Sequence, residues 1–312
     1  MTDPWVARWP IDADTAQQRI VDRFPALRGA TVVPFAAGWD NEAFLVDQDS
    51  QQYVFRFPRR PVAVQLMETE LRWLPQLAPQ LPTPISNPVF RALPTAEAPV
   101  PFGGYRHMVG HLAHDVLQTA MPAPAQQRLG TQLGRFLGIL HRLPASEDTE
   151  GLPPPGDAFN KADLKFRARR LNIAKARLRR LLPADPIDEL VQRVQQLATS
   201  TYGPAQELGW VHGDLDHRHV LLSDNGALAG IIDWGDLHWG DPAVDLGVWW
   251  SVLPLGARNS FRAAYGPIDA ATWRRAQGRC ICHQLAVLEW AVKTERPAVA
   301  KAARRALLLA SG

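Results

Sequence analysis

A run of polar residues between two apolar segments constrains this chain more than any other feature. Residues 212–222 read HGDLDHRHVLL, and the apolar LGWV precedes them. The segments VLLSDNG and LAGIID follow, and the Asn225-Gly226 pair between them is typical of a tight turn in a β-hairpin. The sequence therefore predicts a polar loop that leads into a hairpin, with Asp233 at the end of the second strand.

Three kinds of site could use this loop. A kinase-like enzyme needs an Asp near the attacking hydroxyl, a metal ligand five residues later and a second Asp on the neighbouring strand. Asp214, His219 and Asp233 have this order and spacing, and matched hairpin arms would bring them together. A polar turn with satisfied hydrogen bonds is a purely structural alternative. A metallohydrolase would instead use as ligands His212, Asp214, Asp216, His217 and His219.

The first third of the chain contains the parts that a nucleotide site needs, namely a backbone cradle and a cation for the phosphates. Short β-branched and aromatic segments predict strands at 31–36, 42–47 and 53–57, and helical spacing of apolar residues predicts a helix over 61–78. Gly38 and Asn41 lie between the first two strands. Arg56 on the third strand is the candidate cation, and Glu70 on the helix is its candidate partner.

Taken together, these segments resemble the aminoglycoside phosphotransferase family, which has the bilobal fold of protein kinases and includes macrolide kinases. The resemblance runs from about Phe35 to at least Trp250. Its motifs are GWDNEAFLVD at 38–47, VFRFPRR at 54–60, HGDLDHRHVLL at 212–222, IIDWGD at 231–236 and GDPAVDL at 240–246.

The resemblance implies an α+β, protein-kinase-like fold with two lobes. The small, β-rich N-lobe, residues 1–108, would bind the nucleotide through its sheet and helix. The larger, mainly helical C-lobe, residues 109–312, would hold the catalytic loop, the metal site and the acceptor pocket. The implied activity moves the γ-phosphoryl group of ATP or GTP to a hydroxyl of a small molecule, an antibiotic of the aminoglycoside or macrolide type.

The resemblance also implies roles for residues of the polar loop. Asp214 would orient the acceptor hydroxyl and could take its proton, while His212 would brace the loop. His219 and Asp233 would hold Mg²⁺ or Mn²⁺ on the nucleotide phosphates. For Arg218 two alternatives stay open from the residues alone, namely neutralising charge on the γ-phosphate or forming a salt bridge to Asp216.

Residues of the nucleotide site follow from the resemblance in the same way. Arg56 would contact the α- and β-phosphates with Glu70 as its partner, and the loop with Gly38 and Asn41 would cover the phosphates. The hinge that receives the purine would consist of His107, Met108 and Val109. The two aspartates of GDPAVDL, Asp241 and Asp245, would be buried braces of the C-lobe.

Several features of the sequence limit the cellular location and the partners that we expect for the protein. With 46% hydrophobic and 21% charged residues and a net charge of +3, it reads as a globular protein without a nucleic-acid partner. The first twenty residues lack the apolar core of a signal peptide, and no stretch is apolar enough to predict a membrane span. The two closely spaced cysteines fit a reducing, cytoplasmic setting. The oligomeric state stays open.

The sequence alone leaves several alternatives open for the function and for two segments of the chain. A nucleotide-binding pseudokinase that acts as a scaffold, or a metabolic small-molecule kinase, would have much the same motifs. The basic helix predicted over 161–182 is either a solvated face or a surface for an anionic ligand or nucleic acid. Cys280, Cys282 and His283 are either core residues of a helix or a metal-ligand set.

The chain departs from the family pattern at the metal site, where His219 stands in place of the usual Asn, as it does in macrolide kinases. Imidazole suits softer divalent ions better than it suits magnesium. We therefore predict that manganese supports activity well. The measurement is phosphate transfer with each metal in the wild type and in His219→Asn, and an unchanged metal preference in the variant would contradict the prediction. The second departure, Arg56 in place of Lys, still allows bidentate pairing with phosphate.

Overall fold

The computed structural model describes residues 9–96, 98–117, 121–148, 150–200, 205 and 207–312. The first eight residues, which belong to the stretch without a predicted signal peptide, lie outside these ranges. The chain forms two compact units. The first consists of Met1–Gln80, Pro84–Met108 and Asp233–Asp236, and the second of Leu81–Thr83, Val109–Ile232 and Leu237–Gly312.

The first unit contains an antiparallel sheet and two helices. In chain order its elements are α1 (Ala13–Arg23), β1 (Thr31–Ala37), β2 (Asn41–Gln48), β3 (Gln51–Pro58), α2 (Pro61–Leu77), β4 (Pro88–Ala92) and β5 (Phe102–Arg106). Single 3-10 turns follow α1 at Pro25–Leu27 and α2 at Ala78–Gln80. The strand order in the sheet is β1-β2-β3-β5-β4.

The hairpin of β2 and β3 follows directly from the sequence QDSQQ. Asp49 and Ser50 both have positive φ, 51° and 65°, which is the backbone of a two-residue turn that matches the twist of the strands. The turn fixes the register, so that Phe44 lies opposite Phe55. Both rings are buried against Ile20 of α1 in one aromatic core.

Two consecutive glycines let β5 lie between bulky neighbours on its two faces. A Cβ atom on Gly104 would come within 2.5 Å of the ring of Phe55, on the aromatic side. A Cβ atom on Gly103 would come within 2.9 Å of Leu71, which belongs to α2. The close approach of side chains on both faces therefore requires that these two positions have no side chain.

The second unit is mainly helical and contains two small sheets. Its strands are β6 (His111–Leu112), β7 (Gly209–Val211), β8 (Val220–Leu222), β9 (Leu228–Ile231) and β10 (His238–Gly240). Its helices are α3 (Ala113–Val116), α4 (Ala123–Leu140), α5 (Leu164–Leu181), α6 (Ile187–Ser200), α7 (Val248–Ser251), α8 (Arg258–Tyr265), α9 (Ala270–Lys293) and α10 (Pro297–Ser311). β7 pairs with β10, and β8 lies between β6 and β9.

The hairpin predicted from Asn225-Gly226 is present between β8 and β9. The two strands are antiparallel, with Val220 opposite Ile231. The Asn225 side chain accepts a hydrogen bond from the amide of Ala227 at 3.1 Å, and Gly226 has a φ of 74°. The polar loop, residues 212–219, connects β7 to β8 and so directly precedes this hairpin.

The expected α+β, protein-kinase-like fold is confirmed, with a sheet in the first unit and mostly helices in the second. One predicted helix is shorter than expected: α5 begins at Leu164 rather than at residue 161, because the Asp163 carboxylate caps it by accepting a hydrogen bond from the amide of Phe166. Within the described part of the chain, every helix is too short or too polar to cross a bilayer.

The packing of β5 makes a prediction about stability. Gly104→Ala is expected to destabilise the protein by about 1–3 kcal/mol, because the added methyl group overlaps the buried Phe55 ring. Gly156→Ala is the matched control, since a Cβ atom there has nothing within 4 Å. Thermal unfolding of both variants checks the prediction, which fails if the two midpoints fall equally.

Candidate active site

A buried carboxylate organises the start of the polar loop. Asp245 accepts hydrogen bonds from the backbone amides of His212 at 2.6 Å and Gly213 at 2.9 Å. His141 contacts the same carboxylate through Nε2 at 3.3 Å, and the Nδ1 atom of His141 bonds the Tyr265 hydroxyl at 2.8 Å. Burial by itself would raise the pKa of Asp245, but the bonds from His141 and the backbone amides lower it. The loop therefore begins on an ionised acceptor of fixed position.

His212 braces the loop from inside. Its Nε2 atom lies 3.0 Å from the carbonyl of Ile232, and its Nδ1 atom accepts the amide of Asp214 at 3.2 Å. This pair of contacts fixes the neutral tautomer with hydrogen on Nε2, because a carbonyl accepts only and an amide donates only. Burial lowers the pKa of His212, which agrees with a neutral ring.

Asp214 lies between two cations. The ammonium of Lys161 is 3.5 Å from Oδ1, and the guanidinium of Arg218 is 3.3 Å from Oδ2. Burial would raise the pKa of Asp214, but the charges of Lys161 and Arg218 outweigh it and hold the pKa well below its usual range. The carboxylate is therefore ionised near neutral pH, and it acts as a hydrogen-bond acceptor.

The neighbouring Asp216 is fully occupied by protein groups. Its carboxylate accepts bonds from the Arg218 Nε atom at 3.0 Å, the His283 Nε2 atom at 3.0 Å and the Gln284 amide at 3.2 Å. Gln284 also contacts His217 Nε2 at 3.1 Å. Burial lowers the pKa of both His217 and His283 to about 4, so both rings are neutral near pH 7. Arg218 thus forms the salt bridge to Asp216 that was one of its two alternatives, and also contacts Asp214.

His219 has the chemistry of a metal ligand. Its Nδ1 atom donates to the carbonyl of Asp214 at 2.7 Å, so the lone pair of the neutral ring is on Nε2. This is the arrangement by which histidine ligands are held, with the other ring nitrogen bonded to a carbonyl. The ring also stacks on His212, with 5.8 Å between centroids.

The predicted phosphate-pairing cation of the first unit lies in a network of charges. Arg56 on β3 donates to both carboxylate oxygens of Glu70 at 2.8 Å, and it also pairs with Asp233. Glu70 is buried in α2 and accepts the Tyr105 hydroxyl at 2.7 Å. Burial would lower the pKa of Arg56, but Glu70 and Asp233 raise it, so Arg56 is charged. Asp233 has a positive φ of 65°, and its side chain is 47% exposed.

The loop between β1 and β2 is tied to the end of β3. Arg59 donates to the carbonyl of Gly38 at 2.6 Å, and Arg60 donates to the carboxylate of Asp40 at 2.8 Å. A Cβ atom on Gly38 would meet only the carbonyl of Asn41, at 3.6 Å, so the protein itself leaves room above this loop. Asn41 is buried at the start of β2.

The predicted hinge residues follow β5. The amide of His107 donates to the carbonyl of Gln52 at 2.9 Å, and its ring meets Phe35 edge to face. Met108 is half-buried and ends the second segment of the first unit. Val109 begins the next segment of the second unit, and its side chain is 85% exposed.

A metallohydrolase cluster is not supported by the side-chain geometry. Among the described residues, no group of three or more His, Cys, Asp or Glu side chains is arranged to hold a metal ion. His217 and Asp216 are bonded to Gln284 and Arg218 instead. Cys280 is buried in α9, where burial raises the pKa of its thiol to about 12, which fits a core residue rather than a thiolate ligand.

The second predicted brace, two tryptophans and the basic helix have structural surroundings. Asp241 forms an ion pair with Arg275 and caps a short 3-10 turn through the amide of Ala243. Trp234 is fully buried, and Trp239 meets Trp210 edge to face. The basic helix α5 buries Leu171 and two further leucines on one side, Leu164 and Leu178, which fits a solvated basic face on the other.

Sequence reasoning missed several side chains that contact the polar loop, among them Lys161, His283 and Gln284. Lys161 precedes α5, whereas His283 and Gln284 lie on α9. In the sequence His283 stands beside the two cysteines, and Lys161 stands at the start of the predicted basic helix. Neither lies in a motif with the loop, so only the tertiary fold reveals that Lys161 and His283 approach Asp214, the latter at 3.7 Å.

Comparison with solved structures shows the same fold in several phosphotransferases. The GDP complex of wild-type aminoglycoside 2'-phosphotransferase-IIIa is 24% identical, with 96% of this chain and 99% of that chain covered and a TM-score of 0.69. The GDP and kanamycin complex of APH(2")-IIia is 23% identical, with 92% and 95% covered and a TM-score of 0.67. Macrolide 2'-phosphotransferase type I is 18% identical, with 95% and 97% covered and a TM-score of 0.62.

No curated protein sequence matches the chain. The model of the phosphotransferase enzyme family, APH, matches residues 31–279, which is most of the chain and includes every motif quoted above. The resemblance seen in the sequence is thereby confirmed, and the chain belongs to the phosphotransferase enzyme family.

Proposed function

We propose that this phosphotransferase moves the γ-phosphoryl group of a nucleoside triphosphate to a hydroxyl of a small molecule. In this reaction a bond forms between the acceptor oxygen and the γ-phosphorus, and the bond from that phosphorus to the β–γ bridging oxygen breaks. The hydroxyl proton leaves to Asp214 or to solvent. The observation that carries the proposal is the ionised Asp214 carboxylate, held in a loop that Asp245 and His212 fix from behind.

Asp214 would act mainly by position. A carboxylate with so low a pKa is a weak base, but it is a good acceptor for the hydrogen bond of an alcohol. Phosphoryl transfer through a loose transition state needs little bond formation to the nucleophile, so orienting the hydroxyl matters more than removing its proton early. The rate enhancement would come from alignment and charge neutralisation.

Arg56 would bind the nucleotide phosphates. Its guanidinium presents several donors in one plane, of which Glu70 occupies one nitrogen and Asp233 another. Glu70 holds the arginine in place from the buried side of α2. The loop that contains Gly38 would approach the phosphates through its backbone amides, since a Cβ atom on Gly38 would meet only the carbonyl of Asn41 within 4 Å.

His219 and Asp233 are the candidate metal ligands. A Mg²⁺ or Mn²⁺ ion on a nucleotide takes most of its ligands from phosphates and water, so one protein donor from each residue is a sufficient set. When bound, such an ion neutralises charge on the phosphate oxygens. The nitrogen donor of His219 fits manganese better than magnesium.

The names of the similar structures suggest antibiotics as first acceptors to test, namely aminoglycosides such as kanamycin and macrolides. An aminoglycoside carries several ammonium groups and requires carboxylates that are available to bind them. In the second unit, Asp214 and Asp216 are already paired with Lys161 and Arg218. The charge around Asp214 therefore favours an acceptor with fewer positive charges than an aminoglycoside.

The test is phosphate transfer from labelled ATP and GTP, with magnesium or manganese, to a panel of aminoglycosides, macrolides and small hydroxyl compounds. Asp214→Ala is expected to abolish labelling, while nucleotide binding, measured by calorimetry, is retained. A product that persists in the variant would contradict the assigned role of Asp214. Tight nucleotide binding without any labelled product, and without Asp214-dependent hydrolysis of ATP, would favour the pseudokinase scaffold.

Lys161 is a positioning residue whose contribution has a signature in pH. Because a cation beside the carboxylate lowers the pKa of Asp214, Lys161→Met is expected to raise that pKa and to move the acidic limb of the kcat/KM profile towards neutral pH. The loss of orientation is expected to lower kcat/KM by up to about 100-fold.

Lys161→Arg is the matched control, because it keeps the positive charge and should keep the acidic limb near its wild-type position. If the limb in Lys161→Met does not move although the activity falls, the lysine contributes to structure alone.

A further inference from the structure

The positive charge of this protein is concentrated on one helix. Helix α5 contains eight Lys and Arg residues and no Asp or Glu between Leu164 and Leu181. Subtracting these eight charges from the net charge of +3 leaves a net charge of −5 for the rest of the chain. The helix therefore creates a local positive field on an otherwise acidic chain.

Four of the eight cations have partners within the protein. Two of them share the carboxylate of Asp188 on α6, one pairs with Glu289 on α9, and one donates to backbone carbonyls of the segment before α5. These partnered cations are, in the same order, Lys175 and Arg179, Arg177 and Arg167. They tie α5 to the rest of the second unit and account for half of its charge.

The other four cations are exposed and form no ion pair within the part of the chain that the structure describes. They are Lys165, Arg169, Arg170 and Arg180. Opposite charges four residues apart stabilise an exposed helix, and like charges at that spacing destabilise it by a similar amount. Lys165 and Arg169 have this unfavourable spacing. An anionic partner would relieve their repulsion.

An exposed isoleucine lies at the centre of the same face. Ile173 is 79% exposed, so nearly its whole side chain meets water. Side chains three or four residues apart are neighbours on a helix, so Arg169, Arg170 and Arg177 surround Ile173. Phe166, two turns before Ile173, lies on the same side and is half-buried. The outer face of α5 is thus a basic surface with an apolar centre.

The opposite face of α5 is already used by the fold. Helix α5 packs on α6 and α9, and its buried side chains include Leu164, Leu171 and Leu178. A protein that takes a basic amphipathic helix into an apolar groove needs that apolar face, so it has little to bind here.

Two kinds of anionic partner can still reach the outer face. A nucleic-acid backbone would use the arginines but gains nothing from Ile173. A bilayer of anionic lipids uses both, since its phosphate groups attract arginine and its boundary with the acyl chains accepts apolar side chains. The exposed Ile173 among arginines therefore favours a lipid surface over a nucleic acid.

We propose that the outer face of α5 binds the surface of an anionic lipid bilayer, with its arginines on the lipid phosphates and Ile173 inserted among the headgroups. The 18 residues of α5 extend about 27 Å along such a surface. Each basic residue near the surface strengthens binding about fivefold, so the four unpartnered cations together strengthen it on the order of several hundredfold. The proposal does not depend on the phosphotransferase activity.

Sedimentation of the full chain with lipid vesicles tests the proposal. Binding is expected to vesicles of phosphatidylcholine mixed with phosphatidylglycerol and not to vesicles of phosphatidylcholine alone. It is expected to weaken as salt is added, because the ions screen the arginines from the lipid phosphates. Failure of the wild type to bind the mixed vesicles at low salt would overturn the proposal.

Two double variants remove the same charge from different helices. Arg169→Gln combined with Arg170→Gln is expected to weaken binding to the mixed vesicles about 20-fold or more. Arg19→Gln combined with Arg23→Gln is the matched control, because it removes two exposed cations from α1, and it should bind as the wild type does. Equal losses in the two double variants would mean that net charge acts rather than α5, and the proposal would be wrong.

Ile173→Gln distinguishes a bilayer from a nucleic acid. The substitution is expected to weaken vesicle binding about fivefold, since a polar amide does not enter the apolar boundary. Leu255→Gln is the matched control, because Leu255 is 67% exposed in a 3-10 turn, Leu255–Ala257, that packs on α4, and it should leave vesicle binding unchanged. All the substituted side chains are exposed, so each variant is expected to keep the wild-type midpoint of thermal unfolding.

Double-stranded DNA serves as the competing polyanion in the same assay. At equal phosphate concentration it is expected to leave the protein on the mixed vesicles. Displacement by DNA, or vesicle binding that Ile173→Gln does not weaken, would overturn the lipid assignment and make α5 a nucleic-acid surface instead.

Discussion

The arrangement of the second unit around its polar loop depends on one buried carboxylate. Asp245 receives two consecutive backbone amides, those of His212 and Gly213, and a histidine ring from α4's end completes its partners. Consecutive amides converge on one acceptor only if the backbone turns sharply, and Gly213 has the positive φ, 85°, that such a turn requires. The direction in which Asp214 leaves the loop is therefore set two residues earlier, by a side chain that does not itself contact Asp214.

The candidate site uses buried charges that are compensated locally, as in the pairs of Arg56 with Glu70 and of Arg218 with Asp216. The paired charges fix the orientation of these side chains before any ligand arrives.

Local patterns predicted the parts of the fold that local physics determines. The Asn225-Gly226 turn and the helix predicted over 61–78 each depend on neighbouring residues, so the sequence is sufficient for them. The pairing of Arg56 with Glu70 could be predicted because this strand and the helix after it resemble the corresponding segments of the aminoglycoside phosphotransferase family. The predicted helix over 161–182 is too long at its start, because Asp163 caps α5 and is not part of its interior.

The contacts that sequence reasoning could not supply join distant segments. Lys161 is 53 positions before Asp214, and Arg279 is 66 positions after Gly213, so no local spacing links them. Asp216 and His217 illustrate the converse, because their spacing resembled a metal cluster while Arg218 and Gln284 occupy them in the fold. Residue type and spacing indicate which side chains have useful chemistry, whereas their partners depend on how helices such as α9 return to the loop.

The paired glycines of β5 have a consequence for how the first unit unfolds. Since neither Gly103 nor Gly104 has a side chain, the aromatic cluster around Phe55 and the α2 residue Leu71 approach the same strand from opposite faces. Only the backbone thickness of one strand separates the two apolar layers at this point. Loosening one layer therefore deprives the other of its support, so we expect the two faces of the sheet to lose structure in one cooperative step and to exchange their backbone amide hydrogens with similar protection.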